Sequence, residues 1–97
     1  MENGLEEPLD SKDAKRLIRE ITREGEYALT RHAEQELAKD NLTSVDCVNV
    51  LRAGIVDAPE WENGQWRYHV RTGRIEVVVS FRSPTKLVVI TAWRITK

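Results

Sequence analysis

Only one cysteine, Cys47, occurs in the 97 residues, so an internal disulfide is excluded and no pair of thiols exists to hold zinc. A lone thiol of this kind is expected to serve as a small buried hydrophobe. No stretch approaches the roughly 18 consecutive apolar residues of a membrane span. The acidic amino end, MENGLEEPL, is unlike a secretory or mitochondrial signal, which leaves a cytoplasmic protein as the expectation, with no membrane attachment. A phosphate-cradling glycine loop, an HExxH pair and a nucleophile elbow are all missing, as are repeats and low-complexity segments. Any catalysis is therefore expected to need no metal or cofactor and to rest on side chains alone.

What the chain does have is one small domain's worth of apolar residues, 40% of the total, mixed with 32% charged ones. The net charge of −1 hides an asymmetry. Residues 1–13 hold five acids (Glu2, Glu6, Glu7, Asp10, Asp13) against Lys12, whereas residues 65–97 hold seven bases (Arg67, Arg71, Arg74, Arg82, Lys86, Arg94, Lys97) against Glu76. Such a distribution suits attraction of the carboxy-terminal half to a polyanion, or simply a solvated face.

Residues 1–9 carry Gly and Pro without periodicity and read as a frayed acidic tail, leaving 10–97 as the folded domain. A helix is expected from Asp10 or Ser11 to Glu24, since Ala14, Leu17, Ile18 and Ile21 form one apolar stripe and Gly25 supplies a stop. Lys15, Arg16, Arg19 and Arg23 occupy much of its remaining surface, for a partner, for RNA or for solvent. After a short extended link at 26–29, Thr30 caps a second helix to about Lys39, and Asp40-Asn41 breaks it. Thr43 with Asp46 reads as a capping box, with Leu42 and Cys47 as its hydrophobic staple. That third helix should turn Val45, Val48 and Leu51 inward and end at Gly54.

A first long strand is expected over 55–62, then an Asn63-Gly64 hairpin and a meander over 65–94. With a two-residue turn at Thr72-Gly73, Arg71 faces Arg74, His69 faces Glu76, Arg67 faces Val78 and Gln65 faces Ser80. Alternation then lines one face with Trp66, Tyr68, Val70, Ile75, Val77, Val79 and Phe81. Gln65, Arg67, His69, Arg71, Arg74, Glu76, Ser80 and Arg82 fall on the other. For the last strand a loop one residue longer or shorter inverts every side chain; Leu87, Val89 and Trp93 are taken inward, with Val88, Ile90, Ala92 and Arg94 outward. The expected architecture is α+β: amino-terminal helices packed on one face of a sheet of about four antiparallel strands.

Several of these residues can carry chemistry. His32, in the first turn of the second helix, lies where the helix dipole disfavours an imidazolium and welcomes an anion, as proton acceptor or as packing residue. His69 and Glu76 form either a base with its orienting carboxylate or a surface pair. Arg67, Arg71, Arg82 and Arg94 offer forked donors for a phosphate. Tyr68 offers a hydroxyl but falls on the core face, and Trp61, Trp66 and Trp93 offer stacking surfaces or packing.

The run YALTRHAEQELAKDNLTSVDCVNVLRAGIVDAPEW, followed by WRYHVRTGRIEVVVSFRSPTKLVVITAWR, resembles a small toxin-like family. Its members open with a Ser/Thr-x-His-Ala helix, continue through helix, glycine and strand to an RY-containing strand, and are often encoded beside zinc-finger antitoxins of the MqsA or YgiT type. It is similar, more distantly, to the BrnT, MqsR and RelE toxins, over residues 26–95. The resemblance implies a RelE-like domain acting as the toxin of a type II toxin-antitoxin system. Such a toxin is an mRNA interferase, an endoribonuclease that cuts through the ribose 2′-hydroxyl and is held inactive by a zinc-finger/helix-turn-helix antitoxin. Residue by residue it implies His32, Arg67, Tyr68 and Arg94 as catalytic, with Arg71 and Arg82 contacting RNA; His69 and Arg74, on the same basic face of the sheet, are expected to contact RNA as well. The alternatives on the same fold are a non-catalytic RNA-binding module and a protein-interaction scaffold.

Overall fold

The computed structural model describes residues 3–95. Three helices are set by the caps that the sequence shows. Helix α1 (Ser11–Glu24) begins where the Asp10 carboxylate accepts from the Asp13 N–H, and α2 (Arg31–Lys39) where the Thr30 hydroxyl accepts from Ala33. Helix α3 (Ser44–Ala53) opens on a complete capping box, the Thr43 hydroxyl taking the Asp46 N–H while the Asp46 carboxylate takes the Thr43 N–H. Each cap satisfies orphan amide groups, about 1 kcal/mol apiece.

The phase of α3 differs from expectation. Cys47, Val50 and Leu51 are buried while Val45 is 64% exposed, because Leu42, itself buried, brings the Cys47 side of the helix against the core.

Six strands follow the α+β plan: β1 (Glu26–Leu29), β2 (Ile55–Val56), β3 (Glu60–Glu62), β4 (Gln65–Arg71), β5 (Ile75–Ser83) and β6 (Lys86–Arg94). Their order is β1-β6-β5-β4-β2, with β3 also on β4. The expected long first strand is two short ones, parted at Asp57-Ala58-Pro59, where proline has no N–H to give a ladder. The short link at 26–29 is itself a strand, parallel to β6, a pairing that no hairpin signal announces.

The ends of α1 and α2 are tied to this sheet. Gly25 lies so close to the β5–β6 turn that a Cβ there would come within 2.4 Å of the Thr85 carbonyl oxygen, and the neighbouring Glu26 N–H donates to that oxygen at 2.9 Å. Gly25→Ala is expected to lower stability by about 1–3 kcal/mol, the usual range for forced overpacking. A urea midpoint equal to that of the wild type would show that the turn gives way freely.

Helix α2 flanks the part of β6 that β1 leaves open. The Thr30 N–H and hydroxyl donate to Val89 O and Ile90 O, and the Arg94 N–H donates to the Asp40 carboxylate at 2.8 Å. A sheet edge that would otherwise expose unpaired backbone groups is thereby closed.

One core lies between helices and sheet. Ala14, Ile18 and Ile21 of α1, Ala33 and Leu37 of α2, and Cys47, Val50 and Leu51 of α3 meet Tyr68, Val70, Val77, Val79, Phe81, Leu87, Val89 and Ala92. Leu87 and Val89 point inward as expected; Trp93 and Ala92 do not follow. The ladder runs Val78 to Thr91 and then Val79 to Val89, so Ile90 is an extra residue, a bulge that reverses the alternation beyond it. Ala92 is consequently buried opposite Val77, while Trp93 stands beside Glu76 on the face away from the helices.

Residues 3–9 form no helix or strand, yet they are not a detached tail. Leu5 and Leu9 pack against the core, and the Asn3 amide donates to the Phe81 carbonyl at 3.1 Å. The Glu7 carboxylate accepts from the Tyr68 hydroxyl at 2.9 Å. Among the described residues no helix is long and apolar enough to cross a membrane.

Candidate functional site

The face of the sheet away from the helices is built by alternation along β4 and β5, and its register differs from expectation by two residues. Arg71 opposes Glu76 and His69 opposes Val78. The Thr72 hydroxyl accepts from the N–H groups of Arg74 and Ile75, and the Thr72 N–H donates to Ile75 O, so the turn closes around Gly73-Arg74. A shift of two preserves every face, and it makes His69 and Glu76 diagonal neighbours.

The two side chains meet there, His69 Nδ1 lying 2.5 Å from Glu76 Oε2. On the opposite edge of the ring, Nε2 is 3.5 Å from Glu60 Oε1. The side chains of His69 and Glu76 are only 22% and 18% exposed, against 66% for Glu60, so the first pair is fixed and the third group is displaceable. Arg67 adjoins them with a side chain 15% exposed and its Nη1 3.5 Å from Glu62. One step along the β4–β5 register from the Tyr68–Val79 pair, Ser80 stands across from Arg67. Arg67 Nε and Ser80 Oγ are both buried and meet no hydrogen-bond partner among the described residues. A buried guanidinium N–H of this kind lacks the acceptor that such donors ordinarily have. Trp93, half-buried beside Glu76, adds an aromatic surface.

Acids from the segment between α3 and β4 fold onto this face and offset its bases. The Arg71 Nε donates to Asp57 at 3.0 and 3.3 Å, which, with Coulomb attraction, raises the guanidinium's pKa further. Arg82 Nη1 donates to the Gln65 amide oxygen at 3.1 Å, and Arg74 stands exposed at its turn. The sequence reading did not place Asp57, Glu60 or Glu62 here. The signal was present: an Asn63-Gly64 turn with both residues at positive φ puts Glu62 opposite Gln65 and Glu60 opposite Arg67.

The four residues implied as catalytic do not converge. His32 is exposed in the first turn of α2, and Arg94 lies at that helix's other end, about 13 Å away along the axis for nine residues. The Arg94 guanidinium donates to the Asp40 carbonyl at 2.9 Å, capping α2. Tyr68 is fully buried among core residues, its hydroxyl donating to Glu7 and accepting from the Leu9 N–H at 3.0 Å. Arg67 alone belongs to the same cluster as His69.

The profile of a protein family described as "Domain of unknown function (DUF4258)" matches residues 29–94. The chain belongs to this DUF4258 family. Among curated proteins and among solved structures, none matches it. The DUF4258 region runs from the last residue of β1 to the end of β6, so it includes all of α2, α3 and the His69–Glu76–Arg67 cluster, while α1 precedes it.

Proposed function

We propose that this DUF4258 protein is a metal-independent endoribonuclease, the toxin of a toxin-antitoxin pair, and that it cuts RNA on the face of the sheet away from the helices. The observation that carries the reading is the His69 ring held between Glu76 and Glu60, next to the buried, unpaired Nε of Arg67.

With Nδ1–H donated to Glu76, the Nε2 lone pair is left to accept a proton, the tautomer following from that contact. A ribose 2′-hydroxyl entering in place of the Glu60 carboxylate would give its proton to Nε2 while its oxygen bonds to phosphorus. The P–O5′ bond breaks, the 5′ oxygen takes a proton from water, and the products are a 2′,3′-cyclic phosphate and a free 5′-hydroxyl. Arg67 offsets charge on the phosphoryl oxygens as they crowd around phosphorus, and Trp93 offers a surface for a base.

Purified protein incubated with RNA in EDTA is expected to generate new 5′-hydroxyl ends. Its expression should arrest growth, relieved by a co-expressed zinc-finger antitoxin encoded alongside it. RNA left intact over a protein that still binds it would overturn the nuclease reading. A second reading, a protein-interaction module, is favoured by the acids that offset Arg67 and Arg71. It predicts neither cleavage nor salt-dependent RNA binding.

A further inference from the structure

A second concentration of basic side chains lies on α1, apart from the sheet. Successive helical residues turn by about 100°, which places Lys12, Lys15, Arg16, Arg19 and Arg23 within an arc of about 100°. The core residues Ala14, Ile18 and Ile21 point the opposite way. Asp13, Glu20 and Glu24 gather on one flank, where they take only Arg16, at 2.6 Å from Asp13, and Arg23, at 3.5 Å from Glu24. Lys12, Lys15 and Arg19 form no ion pair among the described residues. With Glu20, the five bases line one shallow depression along the helix.

We infer that this surface binds the phosphate backbone of RNA, separately from the sheet face. The inference rests on the reading that the protein acts on RNA, and it assigns a second contact. Lys12 to Arg23 extends about 16 Å along the helix axis, with a positive charge at every turn. Evenly repeated charge of that kind matches a linear polyanion better than a single anionic group. A lipid surface fits less well, because the apolar side of α1 is spent in the core and leaves nothing to insert. Since α1 packs on the helix side of the sheet, a strand threaded past His69 and a strand lying on α1 are different segments of RNA. The helix also lies outside residues 29–94, the part of the chain that the family profile matches.

The test uses the full chain and a 2′-O-methyl oligoribonucleotide, which lacks the nucleophile and cannot be cut, so binding is read apart from cleavage. Lys15→Gln/Arg19→Gln/Arg23→Gln is expected to weaken binding roughly tenfold or more at low salt. It should also reduce the slope of log K against log salt by about 2, near 0.7 for each lost phosphate contact. Unchanged affinity and slope in the triple variant, with circular dichroism like the wild type, would overturn the inference, as would binding to phosphatidylserine vesicles but not to the oligonucleotide. If the wild type cuts ordinary RNA while the triple variant binds normally, only the α1 contact fails. If the triple variant loses binding and the wild type never cuts, only the nuclease reading fails.

Discussion

His69→Ala is expected to slow RNA cleavage by about 10²- to 10⁴-fold, the range that a positioned general base contributes. The loss should appear in the chemical step and not in affinity, because the imidazole takes a proton in the transition state but makes no phosphate contact in this arrangement. Glu76→Gln keeps the shape of the partner but removes its charge, so the ring loses both its fixed tautomer and its counter-charge; an intermediate loss is expected. Glu60→Gln should cost least, since Glu60 is two-thirds exposed and gives way to substrate. Single-turnover cleavage, followed by the release of 5′-hydroxyl ends, measures all three. If His32→Ala abolishes cutting while His69→Ala leaves it intact, the active site belongs at the start of α2 and the sheet-face assignment falls.

How much of this was legible follows from which signals are local. Asp10, Thr30 and Thr43 announce helix starts within three residues of themselves; Thr30 and Thr43 cap as read, and of Asp10 and Ser11 it is Asp10 that caps. Asn63-Gly64 fixes a turn for the same reason. The assignment of faces in β4 and β5 held because a register error of two residues, caused by the Thr72 hydroxyl, returns each side chain to its own side. An error of one does not, and the Ile90 bulge is such a case: it depends on how β6 meets β5, which no neighbour in sequence declares. Parallel pairing of β1, folding of Asp57, Glu60 and Glu62 over the bases, and anchoring of residues 3–9 are likewise long-range events. For the site, proximity of His69 to Glu76 was readable from alternation. The grouping of His32, Tyr68 and Arg94 came instead from the order of motifs along the chain, which carries no information about faces. Tyr68 sits on the core side by the same alternation that puts Arg67 and His69 on the other.

Tyr68→Ala is expected to destabilise the fold by about 3–5 kcal/mol, the usual cost of deleting a large buried aromatic ring. The side chain is fully buried, its ring lies 4.9 Å from that of Phe81, and its hydroxyl holds Glu7 and Leu9 against the domain. Tyr68→Phe separates the two contributions. It keeps the ring and strips the hydroxyl, leaving a carboxylate and an N–H without that partner, at a cost of about 1–3 kcal/mol, less where water reaches them. Residues 3–9 should then become protease-sensitive while the rest stays folded. The same hydroxyl makes stability fall at high pH. Burial, aided by the Glu7 charge and opposed by the Leu9 N–H, raises its pKa above the ordinary 10. The folded state thus keeps a proton that the unfolded chain releases, so this contribution is whole below pH 10 and declines above it. Burial, with a lesser push from Asp46, raises the Cys47 thiol from 9.0 to about 11, and its share declines over that interval. Urea midpoints should therefore fall from about pH 9 upward, less steeply between 9 and 11 in Cys47→Ala and above 10 in Tyr68→Phe. A profile as steep in both variants as in the wild type would mean that neither group is shielded from water as the packing requires.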